Sequence, residues 1–182
     1  MAFLKLVQLS DTAFPIGSFA HSSGLETYAQ RGMTKIELED YLRNQLELGW
    51  GRLDLAAAVL AYQAENLQSL DELCHELTAW KVIPGLQQTS LKLGGRLLNL
   101  SRRLFPIVAS DLVLTQPHHA VVLGTLGKRL EIDLHFLLLA FAQSTITSQL
   151  VAATRCMSLS PEQAQEILVR LQFDITRAVE TI

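Results

Sequence analysis

The feature of this sequence that most constrains its fold is the repeated spacing of apolar residues three and four positions apart. This spacing places apolar side chains along one face of an α-helix, whereas a strand requires alternation at every second residue. The helical pattern recurs along most of the chain, and no alternating stretch of useful length interrupts it. The sequence therefore predicts an all-α protein, with residues 1–182 forming a single-domain bundle of about seven to nine helices.

The last helix has the clearest signals. Ser160 is placed to cap its N-terminus, Pro161 stands at the first helical position, and Gln163 completes a capping box. An apolar face then continues to the end of the chain, and it consists of Ala164, Ile167, Leu168, Leu171, Ile175, Ala178, Val179 and Ile182.

Two other segments carry the same capping signal. Thr34 pairs with Glu37 before one apolar face, and Ser69 pairs with Glu72 before another. The first face consists of Leu38, Tyr41, Leu42 and Leu46, and the second of Leu73, Leu77 and Trp80.

A leucine stripe between Pro84 and Pro106 indicates another helix, but two adjacent glycines lie within it. Gly94 and Gly95 each cost a helix about 1 kcal/mol relative to alanine. Either the helix keeps them because another segment packs closely there, or it is broken at this point. The stripe consists of Leu86, Ser90, Leu93, Leu97, Leu100 and Leu104.

Charge and composition exclude several classes of protein. The formal net charge of −3 argues against a nucleic-acid partner, which requires an excess of Lys and Arg. Cys74 and Cys156 have no neighbours at metal-ligand spacing, so they indicate reduced thiols in a cytoplasmic protein, with one disulfide as the alternative. The N-terminus lacks the features of a secretory signal.

The segment from residue 134 to residue 154 needs a separate test, because it contains no formally charged residue. A membrane-spanning helix needs about 20 predominantly apolar residues. Here serine, threonine, glutamine and histidine interrupt the apolar run repeatedly. The pattern therefore predicts a central helix that is buried in the bundle or shares an interface, and no contact with a membrane.

Motifs for chemistry are incomplete. No phosphate-binding loop is present, and the zinc-protease pattern that starts at His75 lacks its second histidine. His118 and His119 form the most metal-like pair, but adjacent helical residues point about 100° apart. We therefore expect them to be structural or surface residues, and we expect no metal site and no cofactor.

Five basic residues lie between residues 81 and 103, in a stretch without any acidic residue from residue 77 to residue 110. They form either a solvated outer face or a docking surface for an acidic partner. These residues are Lys81, Lys92, Arg96, Arg102 and Arg103.

Residues 9–26 combine aromatic residues, glycines, a proline and three ionisable groups, which is unusual for a loop. One interpretation is a packed turn, with Phe14 and Phe19 in the core and a backbone shaped by Pro15 and Gly17. Ser22 or Ser23 would then cap the next helix. The other interpretation is a small hydrolase site that uses Asp11, His21 and Ser22. It is disfavoured because no oxyanion motif accompanies these residues.

The same segment contains, in a specific order and spacing, Asp11, Phe14, Pro15, Gly17, Phe19, His21, Ser22, Gly24, Leu25 and Glu26. This order resembles the signature of the UreF family of urease accessory proteins. Further matches to that family are Lys81, residues 90–98, residues 117–120, Gly124, residues 153–155 and Gln165.

The chain also departs from the family's pattern. Gly85 and Gln87 stand where the pattern has a Glu and an Arg, and residues 158–161 replace a Pro-Leu-Gly-Gln sequence. The residues up to Ile182 do not include the basic, aromatic tail by which the family engages its partner UreD.

The resemblance implies a non-catalytic adaptor and chaperone for metallocentre assembly. UreF proteins are all-helical and homodimeric, and with UreD (also called UreH) they recruit the GTPase UreG. That complex delivers nickel to the urease apoprotein, and UreF acts either as a GTPase activator or as a gate. A generic helical dimerisation module, with no link to nickel, is a further alternative to the hydrolase.

The signature and the basic helix face are the candidate partner-binding residues under this resemblance. They are Asp11, Phe14, Pro15, Gly17, His21, Ser22, Gly24, Leu25, Glu26, Lys92 and Arg96.

Overall fold

A computed structural model describes residues 1–11, 13–18 and 24–182, and in these ranges the chain is helical and contains no strand, as predicted. Nine helices of six or more residues and one short helical turn make up this part of the chain. In chain order they are α1 (Ala2–Ser10), α2 (Leu25–Gln30), α3 (Lys35–Glu47), α4 (Trp50–Gln63), α5 (Leu67–Trp80), α6 (Pro84–Leu104), the short turn α7 (Pro106–Ala109), α8 (His119–Arg129), α9 (Leu134–Cys156) and α10 (Pro161–Glu180).

The innermost helix is α8, in which every residue from 120 to 127 is buried. It packs closely on α4 because both helices carry small side chains at their contact. A Cβ on Gly124 would overlap the carbonyl oxygen of Ala58, so only glycine lets the two backbones approach this far. Ala57, Ala58 and Ala61 form the buried small-residue face of α4.

The uncharged segment is α9, and Asp133 caps it by accepting a hydrogen bond from the N–H of Phe136 at 3.1 Å. Among the described residues, α9 is the one helix that is long and apolar enough to cross a membrane. In the fold it contacts α1, α2, α4, α8 and α10. Ten of its residues are buried. The prediction of a central bundle helix is therefore confirmed.

The two glycines of α6 do not break the helix, which is continuous from Pro84 to Leu104. Gly94 faces residues 117–119, where a Cβ would overlap the Pro117 carbonyl oxygen and lie 2.6 Å from the carbonyl carbon of His118. Gly95 has only the Pro117 Cγ near it, at 3.9 Å. Of the two explanations for this glycine pair, close packing is therefore correct for Gly94.

Two of the three predicted capping boxes are present, those of α3 and α10. The third is wrong, because α5 begins earlier, at Leu67. Asn66 caps it, and its Oδ1 accepts a hydrogen bond from the N–H of Ser69 at 2.9 Å. Ser69 therefore lies inside the first turn, where its own N–H requires a cap.

Three apolar residues of the predicted faces are exposed. Trp80 is 71% exposed at the last position of α5, Leu104 is 43% exposed at the last position of α6, and Ile182 is 42% exposed beyond the end of α10. Periodicity extrapolates a face to the end of a helix, but these residues lie at or beyond the helix end, where the bundle no longer covers them.

Both cysteines are free thiols. Cys74 is fully buried, and burial raises the pKa of its thiol to about 11. Cys156 is partly buried at the end of α9. The expectation of reduced thiols is confirmed, and the alternative of a disulfide is wrong.

Candidate functional site

The N-terminal turn, defined here as Asp11 with residues 13–18, follows α1 directly. Asp11 Oδ1 accepts a hydrogen bond from the N–H of Ala13 at 2.7 Å, and the Asp11 carbonyl accepts one from Phe14 at 3.0 Å. The side chains of Phe14 and Ile16 are buried. The hydrogen bond to the Asp11 side chain stabilises the reversal of the chain, and the buried side chains of Phe14 and Ile16 anchor the turn in the core. The packed turn predicted from sequence is confirmed for these residues.

The turn contacts α6 through Arg96. Its Nη1 donates a hydrogen bond to the carbonyl of Ile16 at 3.1 Å, across 80 positions of sequence. Gly17 makes this approach possible in two ways. Its φ of +82° belongs to the left-handed region, and a Cβ at this position would overlap Arg96 Nη1. The fold therefore brings the N-terminal turn into contact with the basic residues of α6, although the two are far apart in the sequence.

We call the exposed part of this junction the turn–α6 surface. Arg96 is exposed on α6, and Lys92 is exposed one helical turn before it. Asp11 and Pro15 are exposed on the neighbouring turn. The surface thus presents one carboxylate and two cations beside a proline.

The remaining signature residues lie elsewhere or outside the described residues. Gly24, with a φ of +93°, precedes α2, and Leu25 is fully buried. Glu26 is exposed and lies near Cys156, whose thiol pKa is raised by burial and by the Glu26 charge. The residue before α2 is this glycine and not one of the predicted capping serines.

Phe19, His21, Ser22 and Ser23 lie outside the described residues. The proposed hydrolase triad is therefore untested by the structure, since Asp11 is its only described member.

The five basic residues do not form one continuous patch. Lys81 is buried, and its Nζ lies 2.8 Å from the Asp54 carboxylate. Arg102 donates a hydrogen bond to the carbonyl of Leu112 at 2.6 Å. Lys92, Arg96 and Arg103 are exposed. Lys81 therefore does not belong to a basic patch, because its charge is paired with that of Asp54 on α4.

The two histidines have structural roles. His118 is fully buried, with Nδ1 at 3.0 Å from Ser90 Oγ and Nε2 at 2.8 Å from Thr78 Oγ1. His119 packs edge-on against the ring of Phe141 instead. The rings thus face different neighbours, as expected for consecutive residues. Among the described residues, no three His, Cys, Asp or Glu side chains are grouped so that they could hold a metal ion.

Burial of His118 predicts a pH-dependent stability. Burial lowers the pKa of His118 to about 4, from 6.5. Above pH 6.5, the pKa of the histidine in the unfolded chain, the ring is neutral in both states and the full stability is present. As pH falls from there towards 4, the unfolded chain binds a proton that the folded protein does not, so stability is lost. We expect the free energy of unfolding to fall by about 2 kcal/mol per such histidine between pH 7 and pH 5.

Urea denaturation at several pH values measures this effect. His118→Asn should flatten the dependence, whereas His135→Asn, which alters an exposed histidine, should leave it unchanged. Equal slopes in the protein and in His118→Asn would contradict the assignment to His118.

A cleft of about 720 Å³ opens between α4, α6, α8, α9 and the N-terminal turn. Asp54 and Lys81 line it, together with Trp50 and Gln149. The cleft is not apparent from the sequence. The polar residues that interrupt the apolar run of α9 are its one signal there, and in the sequence they argue only against a membrane span.

Comparison with known proteins agrees with the resemblance in the sequence. The UreF family model matches residues 33–172, a range that begins after the N-terminal turn. The urease accessory protein UreF of Nostoc sp. is 29% identical over 187 residues, which cover 99% of this chain and 82% of the relative.

Two other relatives are at least as similar in identity. The urease accessory protein UreF of Actinobacillus pleuropneumoniae serotype 5b is 31% identical, over 96% of this chain and 82% of its own length. That of Haemophilus influenzae strain PittEE is 30% identical, over 96% of this chain and 80% of its own length. With the family model covering most of the helical bundle, this chain belongs to the UreF family of urease accessory proteins.

Proposed function

We propose that this protein is a non-catalytic adaptor for urease maturation in the cytoplasm. In this role it acts as a homodimer, and with UreD/UreH it recruits the GTPase UreG. The assembled complex then supplies nickel, as cargo, to the urease apoprotein. Family membership and the names of the relatives support a role in urease maturation.

One structural observation supports action through a surface. The turn–α6 surface brings signature residues and basic residues of α6 together, and the Arg96 hydrogen bond to Ile16 holds the turn in place. Its charges are exposed and available to a partner, in contrast to those of the Lys81–Asp54 pair.

The test is co-purification of this chain with UreD and UreG from the same source, with and without GTP. Arg96→Ala removes both an exposed cation and the contact that holds the turn. We expect it to weaken complex assembly about tenfold, since a hydrogen bond from a charged group contributes about 1.5 kcal/mol. Urease activation in cells that express each variant provides a second readout.

Arg103→Ala is the matched control, because Arg103 is also exposed on α6 and, among the described residues, forms no hydrogen bond with the N-terminal turn. It should assemble as the parent protein does. Equal losses in both variants would assign the effect to overall charge, and full urease activation without this protein would overturn the adaptor role.

A further inference from the structure

The cleft is continuous from a buried interior to an apolar rim. Four large apolar side chains that line it are exposed: Leu48 by 76%, Trp80 by 71%, Val82 by 81% and Ile83 by 56%. These residues come from the α3–α4 junction and the α5–α6 junction. Exposed apolar residues that are grouped at one opening indicate a surface that another molecule covers.

Three buried polar atoms that line the cleft accept or donate no hydrogen bond among the described residues: Gln149 Oε1, Trp50 Nε1 and Asp54 Oδ1. Of these, only Asp54 Oδ1 has a counterion, the Lys81 ammonium at 2.8 Å. Gln149 is only 2% exposed, and its Oε1 accepts no hydrogen bond from any described residue. The Trp50 Nε1 is likewise buried and donates none within the described chain. Leaving such a group unpaired costs about 1 to 3 kcal/mol.

Neighbouring polar groups on α9 do not satisfy Gln149. The hydroxyls of Ser144 and Thr145 both donate to the carbonyl of Phe141, and that of Ser148 donates to the carbonyl of Ser144. They are occupied by their own helix, so an amide oxygen and an indole N–H are left for an occupant of the cleft.

The buried charges of the cleft cancel. Asp54 is paired with Lys81 at 2.8 Å, and burial lowers the pKa of His119 to about 4, so this imidazole is neutral at pH 7. Arg52 and Asp11 also line the cleft, but both are exposed to solvent. A charged group seated in the buried interior would therefore lose its hydration without gaining an unpaired buried counterion. The occupant is therefore neutral, with both a hydrogen-bond donor and an acceptor, and otherwise apolar.

A backbone amide between apolar side chains has this chemistry. Its N–H complements Gln149 Oε1 and its carbonyl complements Trp50 Nε1. An extended chain presents amides and side chains in succession, so it also reaches the exposed rim. We propose that the cleft receives an extended apolar peptide segment of a partner protein. This rests on the proposed function, in which the protein acts by binding partners.

The test uses the whole purified chain and the probe N-acetyl-Ala-Leu-Leu-Ala N-methylamide, with binding followed by NMR titration of methyl groups in the cleft. Esters that replace each internal amide in turn remove one N–H at a time. We expect saturable binding of the amide, and about fivefold weaker binding of one ester, the loss expected for one hydrogen bond.

Variants assign the lost hydrogen bond to its partner. In Gln149→Leu the sensitive ester and the amide should bind within about twofold of each other, because the acceptor is gone. Trp50→Phe should weaken both probes equally and preserve their ratio. Val82→Asp at the rim should weaken both, whereas Val169→Asp, at an exposed position of α10, should not. Thermal unfolding checks that each variant is folded.

An absence of saturable binding, or an ester penalty that persists in Gln149→Leu, would overturn the proposal. Equal affinity for hexanamide would also overturn it, because the ligand would then be a small amide and not a peptide segment. If the peptide binds but UreD and UreG do not co-purify, the adaptor role fails. If they co-purify normally with Val82→Asp and no peptide binds, only the cleft proposal fails.

Discussion

Gly94→Ala is expected to lower the free energy of unfolding by about 3 kcal/mol, the upper end of the usual range for overpacking. The added Cβ would overlap the Pro117 carbonyl oxygen and lie 2.6 Å from the carbonyl carbon of His118. These are backbone atoms, which cannot rotate away as a flexible side chain does. Moving them would also disturb the hydrogen bonds of the His118 ring to Ser90 and Thr78.

Gly95→Ala is the matched control, since the same change is made one position along α6. There the added Cβ would meet only the Pro117 Cγ, at 3.9 Å. Alanine should therefore stabilise the helix, by up to about 1 kcal/mol. Urea denaturation of the two variants measures the difference, and similar stabilities for both would show that α6 does not pack against residues 117–119 as closely as described.

Lys81→Met is expected to destabilise the protein by about 3 to 5 kcal/mol at pH 7, because it leaves the Asp54 carboxylate buried without its cation. The double variant Asp54→Leu with Lys81→Met should recover most of this loss, because no buried charge then remains. Thermal and urea unfolding of Lys81→Met, Asp54→Leu and the double variant, compared with the parent protein, give a double-mutant cycle for this ion pair.

The pH dependence of Lys81→Met adds a second test. Burial raises the pKa of Asp54, and Lys81 opposes this shift. Without Lys81 the raised pKa means that the folded protein favours the protonated carboxyl group. The destabilisation relative to the parent protein should therefore be largest at pH 7 and decrease as pH falls towards 4. A constant difference across this range would contradict a buried, uncompensated carboxylate.

Local interactions explain why much of the fold follows from sequence. The capping boxes of Thr34 with Glu37 and of Ser160 with Gln163 connect residues three positions apart. Both partners therefore lie within one short stretch of sequence, where the pattern can be recognised. The spacing of apolar residues in α10 likewise predicts its buried face, apart from Ile182 beyond the end of the helix. The family signature can be recognised for the same reason, because it is a specific succession of residues within a short stretch of sequence.

Where sequence reasoning failed, a distant partner or a competing local partner decided the outcome. Ser69 matched a capping pattern, yet Asn66, three residues earlier, took the capping role. Lys81 belonged to a run of cations, yet its structural partner is Asp54 on another helix. Composition counts charges but does not show which of them face each other.

The helical class, the positions of α3, α5, α6, α9 and α10 to within a few residues, and membership in the UreF family all follow from the amino-acid sequence. These depend on backbone periodicity and on the order of residues within short segments. Three contacts are visible only in the folded protein: Arg96 meets Ile16 beside Gly17, Gly94 packs on residues 117–119, and Gln149 and Trp50 line one cleft. Such contacts join residues far apart in the chain, and their geometry depends on how all the helices pack together.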